Sequence, residues 1–344
     1  MNLKELAAHL GLSQTTVSRA LNGYPDVGAA TRRRVLEAAR HFNYRPNPNA
    51  TRLATGKSHA IGHVLPSDRM LMIDPHFSEF IAGAGEVYGQ KGFDVVLSVA
   101  GPEGEEAVYR RYAKSNTVDG VVVHGPRLDD WRIALLKELR LPFIVHGRTG
   151  DRTDGYAWLD IDNRGAFEQA ARLLTDLGHR RIALINGLEI MTFAAHRRRG
   201  FEQALRSRGL EPDPALITSS QMTEENGYRA MMDLLAFTAR PTAVICSSML
   251  SASGAIRAVQ QAGLAIGSDM SIIAHDDGLP FLRAEGLSPP LTTTRSSIRA
   301  AGARIAELLL DMIAAPGAGL PHELWTAELI VRGSTGPAPL RLAS

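Results

Sequence analysis

The spacing of apolar residues changes character near Ala60, and that change fixes most of what this chain can fold into. Upstream, apolar residues recur only at helical spacing. Downstream, short apolar runs at 60–65, 94–99, 120–124, 143–146, 181–185, 243–246 and 271–275 alternate with amphipathic stretches. Those stretches cover 77–89, 105–114, 131–139, 164–176, 200–208 and 251–262. Alternation of this kind predicts parallel sheets with crossover helices on both faces. There are more strands than one sheet usually takes, so two α/β lobes are expected, with a ligand cleft at the carboxyl ends of their strands. At 344 residues and 44% apolar composition the chain has ample material for two or three domains.

Charge divides at the same place. Residues 1–57 hold nine Lys and Arg and three acids, a balance of +6, whereas the whole chain carries +2; the remainder is therefore −4. A basic head on a mildly acidic body predicts that only the head meets a polyanion. The single cysteine, Cys246, excludes an internal disulfide and fits a reducing cytosol. The opening MNLKELAAHL does not read as a signal peptide, and no segment is long and apolar enough for a membrane span. A cytoplasmic protein is expected.

The head reads as three short helices. Asn2 and Glu5 form a capping-box pattern, Leu3, Leu6, Ala7 and Leu10 share a face, and Gly11 suits a left-handed helix end. Ser13 caps a second helix from Gln14 to about Asn22, with Val17, Ala20 and Leu21 inward. A third, from about Ala29 to Phe42, turns Val35, Leu36, Ala39 and Phe42 inward and Arg32, Arg33 and Arg34 outward. Three helices with one basic face predict a helix-turn-helix unit, whose second helix offers slim polar side chains to base edges. Pro46 and Pro48 end the third helix. The stretch Ala50 to Ala54 then allows a helix too short to be stable alone.

The order V-S-R-A-L-N, T-R-R-R-V, N-Y-R-P-N and A-T-R-L-A resembles the LacI/GalR family of bacterial transcription regulators. In the body the resemblance continues through D-I-D-N-R-G-A, L-G-H-R-R-I-A, R-R-R-G-F, G-S-D-M-S-I-I-A-H-D-D, P-P-L-T-T and L-I-V-R-G-S-T, essentially the whole chain. It implies an all-α head over 1–45, a hinge over 46–57, and a periplasmic-binding-protein-like core over 58–344. Lobe 1 is expected at about 58–160 plus 291–322, and lobe 2 at about 161–290 plus 323–338.

The resemblance assigns base reading to Gln14, Thr15 and Arg19, the last able to hold a guanine with two hydrogen bonds. It places Ser13, Thr16, Ser18, Asn22, Thr31 and Tyr44 on phosphates. In the hinge, Asn47 and Ala50 are expected against DNA, and Leu53 is the residue that wedges into the minor groove. Gly28 stands where the family usually has Ser, a tolerable cap. For the cleft, Arg197 matches the family's effector-binding Arg and Asp276 its acidic partner, a donor fork with two acceptors that suits sugar hydroxyls. Phe77 is expected as a stacking wall, His146 and Arg148 at the cleft edge, and Met222 and Asp162 as further candidates for ligand contact. Ser247-Ser248-Met249 replaces the Asn-Asp common at that strand end. Together with His146-Gly147-Arg148 it resembles the branch that answers to α-glucosides.

The resemblance therefore implies a homodimer on a pseudo-palindromic double-stranded DNA operator, released by a mono- or disaccharide. A co-repressor mode and a sugar-binding transport receptor are the alternatives. No catalytic residue, cofactor or metal is expected. Gly83-Ala84-Gly85 lies in a helix-like stretch rather than after a strand, and the eleven histidines are scattered without metal-ligand spacing. The absence of a leucine heptad near the C-terminus predicts no tetramer-forming tail.

Overall fold

The computed structural model describes residues 1–44, 56–66, 75–101, 104–150, 153–276 and 278–339. The expected hinge contacts Asn47, Ala50 and Leu53 lie outside the described residues.

The head folds from strong local signals. Helix α1 (Leu3–Leu10) starts at a complete capping box between Asn2 and Glu5 and ends on Gly11 at φ 66°. Helix α2 (Gln14–Leu21) starts where the Ser13 hydroxyl accepts from the Thr16 amide at 3.0 Å. Helix α3 (Ala29–His41) begins at Gly28 without a side-chain cap. Leu6, Val17, Ala20 and Val35 close a small core against which Leu3, Leu10 and Phe42 pack partly buried. Leu36 departs from expectation: it is 36% exposed. Val35 and Ala39 already fill the α3 side of this core, and three short helices have no further volume to cover Leu36.

The body contains two six-stranded sheets. The first is built from β1 (Ala60–Pro66), β2 (Asp94–Ala100), β3 (Gly120–His124), β4 (Phe143–His146), β5 (Ala157–Ile161) and β11 (His322–Trp325), in the order β11-β5-β4-β3-β1-β2, all parallel. Helices α4 (Pro75–Lys91), α5 (Glu105–Ser115), α6 (Trp131–Glu138) and α11 (Ile298–Ala314) cover it. Gly83 explains itself here: a side-chain carbon at that position would collide with the Arg299 carbonyl, and one at Gly302 with the Phe80 carbonyl. The two glycines let α4 and α11 approach backbone to backbone, which gives Gly83 a packing role.

The second sheet uses β6 (Ile182–Asn186), β7 (Ile217–Ser219), β8 (Ala243–Cys246), β9 (Ser271–Asp276), β10 (Thr292–Arg295) and β12 (Glu328–Ile330), in the order β12-β10-β9-β8-β6-β7. Only β12 is antiparallel to its neighbour. Helices α7 (Asn163–Asp176), α8 (Thr192–Ser207), α9 (Glu224–Leu235) and α10 (Met249–Gln261) pack on its faces.

The chain thus passes between lobes after β5, β10 and β12's predecessor β11. The first passage falls where the sequence suggests; the other two do not. Thr292–Arg295 was expected in lobe 1 yet joins the second sheet, and most of His322–Trp325 was expected in lobe 2 yet joins the first. The cause is that Thr292, Thr293 and Thr294 are buried without being apolar. Thr292 donates to the Arg332 carbonyl at 3.1 Å, and Thr294 pairs with His275 Nδ1 at 2.9 Å. β-Branched threonines with satisfied hydroxyls make a good central strand that leaves no hydrophobic signature.

Candidate functional site

On the head, Gln14, Thr15, Ser18, Arg19 and Asn22 line one shallow depression together with Leu3 and Tyr24. Gln14, Thr15 and Arg19 are exposed. Ser13 and Thr16 are tied to each other, hydroxyl to hydroxyl, at 2.9 Å, and Asn22 donates to the Ser18 carbonyl at 2.9 Å. Thr31 and Tyr44 are half-buried, and burial pushes the Tyr44 hydroxyl pKa up. One partner was not expected. Arg19 donates to Asp26 at 2.6 Å, and its guanidinium sits 5.5 Å from the centre of the Tyr24 ring. Both ends of that ion pair are about half exposed, at 50% and 49%, so the pair is weak enough for a nucleic acid to displace.

The second site lies between the lobes. A cleft of about 200 Å³ is lined from lobe 1 by Phe77, Phe80, His124, His146 and Asp160, and from lobe 2 by Asn163, Phe193, Arg197, Met222 and His275. The strands place them. His124 and His146 end β3 and β4 and are register partners, Asp160 lies near the end of β5, and His275 near the end of β9. This is where a parallel sheet presents its ligands. Helix α8 delivers Arg197, which is 5% exposed, its guanidinium between the Phe167 and Phe193 rings at 5.0 and 4.9 Å. Arg197 donates from Nε to Asn163 Oδ1 at 2.7 Å and from Nη1 to the Ser247 carbonyl at 2.5 Å. Ser247 in turn donates to Asn186 at 2.7 Å. A rigid, desolvated guanidinium among rings and neutral amides is built to hydrogen-bond a polar ligand.

Of the six expected effector residues, Phe77, His146, Arg197 and Met222 come together in this cleft. Arg148 and Asp276 are not among its lining residues. Arg148 donates to Asp160 at 2.8 Å and lies 5.1 Å from the centre of the Trp158 ring, so it holds the carboxylate that faces the cleft. Burial keeps the Asp160 pKa raised even beside Arg148. Asp276 accepts from the Gly278 amide at 2.7 Å and lies 3.8 Å from Arg295, its register partner on β10. One carboxylate oxygen thus accepts from the Gly278 amide while the other faces Arg295 on the neighbouring strand. Asp162 caps α7 through the Gly165 amide at 2.9 Å.

Sequence reading also passed over part of the site. His124 and Asp160 sit at strand ends, the same signal that singled out His146. The histidines are less scattered in space than in sequence: His63, His124 and His146 occupy three adjacent strands, with His63 Nδ1 and His124 Nε2 2.8 Å apart. Burial lowers the His63 pKa to about 3; burial, then the neighbouring imidazoles, lower that of His124. Among the described residues no group of three or more His, Cys, Asp or Glu is arranged to hold a metal ion. Nor is any helix among them long and apolar enough to cross a membrane.

The lobes also touch at the mouth of the cleft. The Pro126 carbonyl of lobe 1 accepts from both the Thr192 amide, at 3.0 Å, and the Thr192 hydroxyl, at 3.1 Å. Arg127 and Met191 form an antiparallel bridge beside them.

Comparison with known proteins agrees with the division into a head and a two-lobed body. Residues 2–47 match the family described as bacterial regulatory proteins, lacI family, and residues 171–335 match the periplasmic binding protein-like domain. The chain is 57% identical over 341 residues to the HTH-type transcriptional regulator AglR of Rhizobium meliloti (strain 1021), covering 99% of this chain and 96% of that protein. It is similar to the solved transcriptional regulator CelR–cellobiose complex, at 29% identity and TM-score 0.71, covering 97% of this chain and 99% of that one. It is similar also to the lac repressor dimer bound to operator and the anti-inducer ONPF, at 26% identity and TM-score 0.82, covering 98% and 99%. A basic helix-turn-helix head joined to a two-lobed α/β body, with these relatives over nearly its full length, makes this chain a member of the LacI family of DNA-binding transcriptional regulators.

Proposed function

We propose that the protein is a cytoplasmic homodimeric repressor of carbohydrate-utilisation genes, released from a pseudo-palindromic operator by a mono- or disaccharide, of the α-glucoside class. The observation that carries the reading is the pairing, in one chain, of a helix-turn-helix face lined by Gln14, Thr15, Ser18 and Arg19 with a cleft between the lobes whose polar lining includes Arg197, Asn163, Asp160 and His124 among aromatic rings. Gln14, Thr15 and Arg19 read bases, Ser13, Thr16, Ser18, Asn22, Thr31 and Tyr44 hold phosphates, and the hinge residues Asn47, Ala50 and Leu53 complete the contact. Phe77, His146, Arg197 and Met222 hold the sugar.

Dimerisation is supported by β2. It is an edge strand of the first sheet, and its Val95, Leu97 and Val99 point one way and are exposed, with Phe281 on the other lobe 66% exposed. A hydrophobic edge left open invites a second chain. Twofold pairing of heads then matches a twofold operator. The sugar acts through its differential affinity for the two arrangements of the lobes.

The test is a thermal-shift screen against mono- and disaccharides, followed by operator titration with and without each hit. A hit that weakens operator binding is the expected result. A hit that tightens it reverses the sign of the response, and the absence of any stabilising sugar removes the effector class.

A further inference from the structure

His63 sits in the middle of β1, fully buried, and takes no direct part in the sites described above. Its Nδ1 shares one hydrogen bond, 2.8 Å long, with Nε2 of His124. Its other nitrogen, Nε2, is buried without a hydrogen-bond partner among the described residues, amid the rings of Phe77, Phe80 and Tyr88 at 6.2–6.5 Å between centroids. His124 lines the cleft, and its remaining nitrogen, Nδ1, bonds to none of the described residues.

A single proton lies between the two rings, so their tautomers are locked together. If His124 donated it, the proton of His63 would lie on Nε2, an N–H buried with no acceptor. If His63 donates it, Nε2 of His63 is a bare acceptor in the same apolar place. Among backbone groups an orphaned buried N–H is rarer than an under-satisfied carbonyl, and by extension the bare imidazole nitrogen is the less costly of the two arrangements. The ring distances around His63 are too long for an N–H pointing closely at a ring face.

We infer that His63 is a positioning residue: it donates from Nδ1 to His124 Nε2, and so makes His124 present an Nδ1–H donor to the cleft, selecting an acceptor oxygen on an uncharged polyhydroxy ligand. The ring or glycosidic oxygen of a sugar has that character, since it accepts and cannot donate. Burial keeps both rings neutral, which keeps the lock in place near neutral pH. The ligand class rests on the function proposed above; the tautomer does not.

The experiment is long-range proton–nitrogen NMR of the full chain labelled with ring-¹⁵N histidine, the His124 signals identified by their loss in H124Q. An Nδ1–H tautomer of His124 is the expected result, and an Nε2–H tautomer overturns the inference. His63→Asn keeps an amide donor near the position of Nδ1 and should preserve the tautomer; His63→Phe removes the donor and should leave a mixture. With maltose, sucrose and trehalose as probes, whichever binds should lose about tenfold in affinity in the Phe variant and recover in the Asn variant. Equal affinities in the two variants overturn the positioning role. If none of the three sugars binds, the α-glucoside class fails while the ring signals still decide the tautomer.

Discussion

The contact at the mouth of the cleft gives the sharpest quantitative expectation. Thr192, 2% exposed at the start of α8, sends two hydrogen bonds to one lobe 1 carbonyl, that of Pro126. Thr192→Val removes the hydroxyl bond and keeps the amide bond, so the carbonyl is not orphaned. The loss is then the ordinary net worth of one hydrogen bond, about 0.5–1.5 kcal/mol, rather than the larger penalty of a stranded polar group. It falls on the arrangement with the lobes in contact, because both groups recover water when the lobes part. The ratio of closed to open forms should therefore drop by about 2- to 12-fold. If the open form dominates without ligand, the apparent affinity of a sugar that binds the closed form falls by the same factor. Operator binding in the absence of sugar should not weaken.

Two measurements check this. Calorimetric titration of the sugar found by thermal shift gives the affinity. Spin labels at Leu128→Cys and Ile190→Cys, positions 41% and 57% exposed on the two sides of the mouth, report the separation of the lobes without any ligand. The native Cys246 is fully buried, which directs labelling to the introduced thiols. Thr192→Ser keeps the hydroxyl and should behave as the parent. An unchanged distance distribution together with an unchanged sugar affinity in the Val variant would refute the role of this contact.

Arg19→Ala should weaken operator binding by about 1–3 kcal/mol and relax preference at one base step, whereas Asp26→Asn, which frees Arg19, should tighten it by about 0.2–1 kcal/mol in anisotropy titrations. Equal losses on operator and random DNA in the Arg19 variant would count against base reading. Leu53→Ala should reduce operator bending in a gel-phasing assay while sugar affinity stays the same. Val99→Glu should shift the chain from dimer to monomer in sedimentation equilibrium; an unchanged mass would move the interface away from β2. His63 titrates near 6.5 when unfolded and at about 3 when folded, so its contribution to stability is complete above pH 6.5 and is lost as pH falls through that window. At pH 5 the loss from this group is about 2 kcal/mol, and His63→Phe should flatten the drop in urea stability between pH 7.5 and pH 5 by that order.

How far the sequence carries depends on whether a residue's role is settled by its neighbours in the chain or by its neighbours in space. The caps of the head are local. Asn2 with Glu5, Gly11 and Ser13 act within one helical turn, and each is found doing what its position suggests. Leu36 shows where local patterning stops, because helical spacing alone does not say how much volume three short helices have to offer. In the body, strand ends point to the cleft, and that rule reaches His146 and would equally have reached His124 and Asp160. It does not say whether a side chain at a strand end is left for a ligand or taken by a neighbour. Arg148 and Asp276 each stand just past or at such an end, yet one is committed to Asp160 and the other to the Gly278 amide beside Arg295. The first commitment reaches across to the neighbouring strand, and the second joins a local bond to Gly278 with the approach of Arg295, which the β9–β10 register sets. His63 is the extreme case. Sixty-one positions separate it from His124, and an isolated histidine in an apolar run reads as core until β1 and β3 are laid side by side. The residues that tune this cleft are thus legible only once pairing is known, because their chemistry is set by which partner each one spends its hydrogen bonds on.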